Sequence, residues 1–360
     1  MGYKIVVLGT STIGLPLAMQ LQAQAGKIGI DEIFITKKHA DPITAGRIIG
    51  MTKTGIKFCP EDSAIDAFKQ IGIPCTMTLS EAYQQADIVV DCTVRGHALE
   101  CKKGLFAELN HVKGFIAQGS EGGFGFPVVF DVNDHLVTDD NRFLQVVSCN
   151  THQLVSVINT IANLSENPAN LVNAHCVILR RDVDFTQKKG SVSSPELGLH
   201  TDPIFGSHQA RDAAGIIETV YGNKPQLTSS VSKLHQQVMH ATNFYIVLKG
   251  EVSLETVKNR LEKNRLIALT KYVSTNVAFG DIRDFGPNGR CFNQSIICED
   301  SLAVIPSPLG TIVLGWAFTP QDANSLLTSI ALILRKVHGK DDYLKMMKPY
   351  LEFPYTRQHI

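Results

Sequence analysis

The chain has 360 residues, 44% of them hydrophobic, enough for two domains that each bury a core. Lys plus Arg and Asp plus Glu both total 34, so the formal charge is zero and there is no global field to hold nucleic acid. Eight scattered cysteines, with no CxxC and no zinc-ligand spacing, fit a reducing, cytoplasmic setting and no metal. No window approaches the ~18 uncharged apolar residues of a membrane span. The N-terminal "MGYKIVVLGT" lacks a signal-peptide pattern, and Ile5 and Val6 stand where a myristoylation signal needs Ser or Thr.

The first elements alternate. "YKIVVLG" (3–9) reads as a buried strand, and 13–26 as a helix with Gly26 at its C-cap. A strand over 31–38 follows, then helices over 61–72 and 80–86, the second with Ser80 as N-cap. "DIVVDCT" (87–93) is another buried strand, and 113–122 and 126–133 continue the series. Strands alternating with helices imply a doubly wound parallel sheet.

After residue 150 the pattern changes. Strands are expected over 174–185 and 242–253, and two more over 293–318 around a Pro/Gly turn, which gives an α+β unit with a largely antiparallel sheet. The stretch 188–212 reads as a long Gly-, Pro- and Ser-rich loop. His200 and Asp202 in it lack the further ligands a metal would need. "KNRLEKNRL" (258–266) has charges at helical spacing and reads as a solvated face. A final helix over 319–339 takes Thr319 as N-cap, Pro320 at N1 and Gly339 as its stop.

Two stretches carry chemistry. "GTSTIG" (9–14) lies between the first strand and first helix, where a dinucleotide pyrophosphate meets helix N–H groups. Gly9 suits the tight turn and Gly14 the close helix–strand packing, while Ser11 or Thr12, ahead of Ile13, replaces the middle glycine. After the second strand come Lys37 and Lys38 where an NAD site prefers an acid, which points to the 2′-phosphate of NADP; Asp41 nearby keeps NAD open. The second stretch is "VVSCNTHQ" (146–153). Ser148, Asn150 and Thr151 are cap-like, so Cys149 would start a helix, where the dipole favours a thiolate. Arg180, Arg181, His208, Arg211 and His240 lie downstream as cations and bases, with His235 a second choice of base.

Taken in order, "GTSTIG", "TKKHADP", "ADIVVDCT", "IAQGSE", "VVSCNT", "RRDVDF", "GSHQARD" and "MHATN" resemble the archaeal-type (class II) glyceraldehyde-3-phosphate dehydrogenases. The resemblance implies a Rossmann-type domain from 1–148 and 319–360, with the C-terminal helix returning to it, and a catalytic domain from 149–318. It implies Cys149 as nucleophile and His240 as base. Asn150, Thr151, Arg180, Arg181 and His208 would bind substrate and phosphate. Thr93 would lie beside the cofactor's ribose or phosphates, and Gln118 and Gly119 beside its nicotinamide.

A thiolate attacking an aldehyde, followed by loss of hydride to NADP or NAD, leaves a thioester that phosphate resolves. The implied partners are a phosphorylated aldehyde, inorganic phosphate and further copies of the chain in a homotetramer. His152 and Gln153 depart from the family pattern just after Thr151, in the presumed substrate pocket. A related acylating or non-phosphorylating dehydrogenase, or a non-catalytic binding protein on the same fold, stays open.

Overall fold

β1 (Tyr3–Leu8), β2 (Ile30–Thr36), β3 (Lys57–Phe58), β4 (Ile88–Asp91), β5 (Gly114–Gln118), β6 (Phe126–Val128) and β7 (Phe143–Val146) form one sheet in the computed structural model. The structure describes residues 2–75, 77–119, 121–183, 190–284, 290–352 and 356–360. The strands run in the order β3-β2-β1-β4-β5-β7-β6, and every pairing is parallel. Ile5 to Leu8 and Ile33 to Ile35 are at most 1% exposed, as a sheet covered on both faces demands. The order reverses between β1 and β4, which places a crevice beyond Leu8 and Asp91, the last register pair of those strands.

Aromatic rings fill one side of this unit. Phe115 stacks on Phe106 at 4.5 Å and on Phe143 at 5.3 Å, and Phe124 meets Phe143 edge-on. The Arg142 guanidinium lies 5.1 Å over Phe115 and donates to the carbonyls of Phe106, Leu109 and Val112. It thereby satisfies backbone acceptors that the packed rings shut off from water.

The second sheet comprises β8 (Leu171–Arg180), β9 (Glu196–Leu197), β10 (Leu227–Lys233), β11 (His240–Leu248), β12 (Ile267–Thr270), β13 (Ser295–Ser307) and β14 (Gly310–Thr319). Its order is β12-β13-β14-β11-β8-β10-β9. Most pairs are antiparallel; β12 with β13 and β10 with β8 are parallel. Alternation sets its two faces. Phe244, Ile246 and Val313 are buried on one, while Tyr245, Trp316 and Ile305 remain 37–44% exposed on the other. The helix Cys149–Ile161 packs on the buried face, between the helices His208–Tyr221 and Leu254–Lys263.

The chain divides into two units. The first runs through Phe130 and adds Asp134–Val146 and Leu326–Pro349; the second holds Asp131–Asn133, Val147–Ser325 and Tyr350–Ile360. Residues 350–360, expected with the nucleotide-binding unit, therefore group with the second. Other differences are local. Thr78, not Ser80, caps its helix, because only Thr78 has Glu81 three residues on to close a capping box. Thr319 ends β14, and the last helix runs Gln321–His338. The expected loop 188–212 contains β9 and gives way at His208 to a 14-residue helix that ends on Gly222 with φ 75°. Asp184 and Phe185, expected in a strand, Ser120 of "IAQGSE", and the loop's first two residues lie outside the described residues.

The ring stack yields a prediction. Phe115→Ala should lower the unfolding free energy by ~3–5 kcal/mol in urea denaturation, since three rings and a guanidinium cannot close the gap. Phe115→Leu should cost clearly less.

Candidate active site

In the first unit the turn after β1 is built around two glycines. Gly9 has φ 97°, and a Cβ there would lie 3.0 Å from the Cys92 carbonyl oxygen. A Cβ on Gly14 would lie 2.0 Å from the Gly9 oxygen, so neither position accepts a side chain without moving backbone. The 11-residue helix Gly14–Gln24 starts from Ile13 with no side-chain cap and no acid in its first turn. Its opening N–H groups are thus not claimed by a capping side chain, and Ser11 is exposed beside them. This cradle fits a phosphate-bearing dinucleotide.

The surrounding residues are more constrained than their sequence suggests. Lys37 donates to Thr44 at 2.7 Å, and Asp41 caps the helix Pro42–Thr52; Lys38 is exposed. Thr93 donates through both N–H and hydroxyl to one oxygen of the buried Asp91, at 2.9 and 2.6 Å. The other Asp91 oxygen pairs at 2.7 Å with His97, and that bond raises the imidazole pKa to about 10. Gln118 donates to Ser329. Gly119, with φ 82°, donates to the Val146 carbonyl at 2.8 Å and accepts from Gln145 at 3.0 Å. Glu121 accepts from the Gly96 N–H at 2.6 Å and ties the loop after β4 to the loop after β5.

In the second unit Cys149 is the first residue of its helix and is half-buried. Ser148 caps that helix by accepting from the Thr151 N–H at 3.3 Å. The next residues are polar yet buried: Asn150, Thr151, His152 and Gln153 are at most 4% exposed. Thr319, opposite His240 in the β11–β14 ladder, donates to Asn150 at 3.4 Å. Thr242 donates to Gln153 at 2.6 Å. Asn324 donates to the Cys149 carbonyl at 2.9 Å and to that of Gln294 at 3.3 Å. These bonds bring the thiol-bearing turn to the strand ends that carry His240, Arg180 and Arg181.

His240 is 5% exposed, and its Nδ1 accepts the Arg181 backbone N–H at 2.8 Å. Burial first, then the charges of Arg181 and Arg180, hold its pKa well below the usual imidazole range. His235, the other choice of base, is exposed. The anion-binding candidates divide. Arg180 is exposed at the end of β8, whereas Arg181 is 4% exposed and turns its guanidinium to the Val183 carbonyl. His208 opens the His208–Tyr221 helix. Arg211 pairs with Asp202 at 3.6 Å and Asp212 at 3.2 Å. His152, expected in the substrate pocket, is completely buried, with Nδ1 3.0 Å from the Ser148 carbonyl oxygen. Among the described residues no group of His, Cys, Asp and Glu is placed to hold a metal.

The reading from sequence missed Thr242, Thr319 and Asn324. Each acts across a separation of 89 or more residues, and no local pattern announces such a bond.

No family model matches the chain. The glyceraldehyde-3-phosphate dehydrogenase of Methanobacterium formicicum is 26% identical over 302 residues, which span 76% of this chain and 84% of the relative. Glyceraldehyde-3-phosphate dehydrogenase 2 of Methanosarcina acetivorans is 29% identical over 266 residues, spanning 72% and 71%. The protein of the same name, without the number, from Sulfurisphaera tokodaii is 24% identical and spans 97% and 98%. This chain is similar to archaeal glyceraldehyde-3-phosphate dehydrogenases. The likeness extends over most of both partners, and the parallel sheet with its glycine turn and the mixed sheet behind Cys149 both fall inside it.

The buried histidine beside the thiol has a measurable consequence. Burial lowers the His152 pKa from 6.5 to about 4. Between those values the unfolded chain binds a proton that the folded chain refuses, so stability falls as pH drops through that window and the loss is complete below it. The contribution is on the order of 3 kcal/mol. His152→Gln should give a shallower fall of Tm with pH there; His240, also held low, keeps the slope above zero.

Proposed function

We propose that the protein is a phosphorylating glyceraldehyde-3-phosphate dehydrogenase that works with NADP, and with NAD more weakly. The observation that carries this reading is a half-buried cysteine at a helix start, tied through Thr319 and Asn150 to the strand end bearing His240. Cys149 is the nucleophile. Asn150 and Thr151, in the first turn behind it, hold the geometry of the substrate end, and Arg180 and His208 supply charge for anionic groups. Gly9, Ser11, Thr12, Ile13 and Gly14 cradle the dinucleotide phosphates, with Thr93, Gln118 and Gly119 along its ribose and nicotinamide portions. A bound dinucleotide supplies the hydride acceptor. The cation at Lys38 favours a 2′-phosphate, and Asp41, spent as a helix cap, is poorly placed to select a 2′-hydroxyl.

The eight cysteines are all free, which supports a cytoplasmic setting, and no helix among the described residues is long and apolar enough to cross a membrane. The exposed Tyr245, Trp316 and Ile305 on one face of the mixed sheet support self-association, with a homotetramer as the expected state.

A second reading has its own observation. Arg211 is committed to two carboxylates and Arg181 to a backbone carbonyl, which leaves fewer cations for substrate phosphate. That favours a related aldehyde dehydrogenase with another substrate. Rates on several aldehydes with and without inorganic phosphate separate the two.

The decisive measurement is oxidation of glyceraldehyde 3-phosphate by wild type and Cys149→Ser. The variant should lose essentially all turnover; equal activity would refute the nucleophile. Lys38→Glu should raise KM for NADP about tenfold, one lost charge contact, and leave KM for NAD nearly unchanged.

A further inference from the structure

The helix His97–Lys103, which follows β4, carries a cluster that aldehyde chemistry leaves unused. His97 and Cys101 are four residues apart, so one helical turn brings both side chains to the same face. The Cys101 sulfur lies 3.7 Å from Nε2 and 3.8 Å from Nδ1 of His97. It thus sits against both ring nitrogens at once, over which an imidazolium spreads its charge. Nδ1 also bonds the buried Asp91 at 2.7 Å. The Asp91 bond first, and the Cys101 contact second, raise the His97 pKa to about 10, so the ring is charged at neutral pH. The array runs carboxylate, imidazolium, sulfur. Its neighbours hold it in place, since Asp91 also accepts twice from Thr93, and Glu121 accepts from the Gly96 N–H just ahead of His97.

Cys101 is half-buried and packs on the cluster that holds Phe106, Phe115 and Phe124. The His97 side chain keeps 30% exposure. Such packing leaves an approach for a small reagent and shuts out a bulky one. We propose that Cys101 is a modification site that reacts with small hydroperoxides, hydrogen peroxide being the simplest. A sulfur held beside a fixed cation is the setting in which cysteine acts as a nucleophile. The thiol first gives its proton to solvent. The sulfur pair then attacks the near peroxide oxygen, so an S–O bond forms as the O–O bond breaks. Sulfur is oxidised by two electrons to the sulfenic acid, and the peroxide is reduced. The departing hydroxide takes a proton from the His97 imidazolium and becomes water, and the imidazole regains that proton from solvent. Neither Cys149 nor a dinucleotide takes part, so this reaction and aldehyde oxidation stand or fall separately.

The test treats the full-length protein with hydrogen peroxide at neutral pH in the presence of dimedone, which traps sulfenic acids, and follows each labelled peptide by mass spectrometry. Cys75 is the internal reference: it is also half-buried, and its sulfur donates to the Ile73 carbonyl at 3.6 Å. Cys101 should be trapped about tenfold faster than Cys75. Equal or slower trapping would overturn the proposal. His97→Gln should lower the Cys101 rate about tenfold and leave the rate at Cys149, in the other unit, unchanged. A Cys101 rate that is the same in wild type and variant would overturn the proposal equally. The comparison of Cys101 with Cys75 needs no substitution, so it decides the matter even if removing the partner of Asp91 prevents the variant from folding.

Discussion

A helix can bury a polar first turn only if its side chains find partners inside the protein. Asn150, Thr151, His152 and Gln153 bond to Thr319, Ser148, the Ser148 carbonyl and Thr242 in turn, and only the amide nitrogen of Gln153 is left without a bond among the described residues. Leaving one such group unpaired costs ~1–3 kcal/mol, so the turn is held firmly to the ends of β11 and β14. The position of the Cys149 thiol follows from that requirement. Apolar residues at 150–153 would bury as readily, and nothing would then orient the helix start against the strand that carries His240.

The first unit obeys a different constraint, one of close approach. Gly9 and Gly14 let the chain fold back on itself within a contact that no Cβ survives. The carboxylates behind the turn are spent on structure. Asp91 gathers Thr93 and His97, Glu121 holds Gly96, and Asp41 starts a helix. An acid consumed in holding loops is not free to choose among ribose substituents. On the proposed reading, selectivity of the cradle falls on what remains outside that network, chiefly the exposed Lys38 and the dipole of the uncapped helix.

What was legible in the sequence was local. Buried strands showed as apolar runs, the glycine turn as punctuation between strand and helix, and the thiol-bearing helix start as Ser148-Cys149-Asn150-Thr151. The His208–Tyr221 helix went unread because its Gly, Ser and His flank looked like loop, although Gly222 marked its end. Lys37 and Arg211 looked like free cations, and only three-dimensional neighbours, Thr44 for one and Asp202 for the other, show how they are used. Charge can be read from a sequence, but whether the charge is already spent cannot, because its partner lies at no fixed spacing.

The same distinction separates catalysis from specificity here. On the proposed reading, attack on an aldehyde needs a thiol held in place, and the Cys149 turn is bound to buried strand ends through the Thr319–Asn150 and Thr242–Gln153 hydrogen bonds. Such a core tolerates little change, since each member satisfies another. On the proposed reading, recognition of the rest of the aldehyde falls to Arg180, His208 and loop residues at half-buried or exposed positions. An exposed cation can be paired off or lost at a cost of ~1 kcal/mol or less. Arg211 pairs with two carboxylates in this way. On the proposed reading, the chemistry at sulfur depends on the packing of the second unit, and the identity of the aldehyde on charges that the packing leaves adjustable.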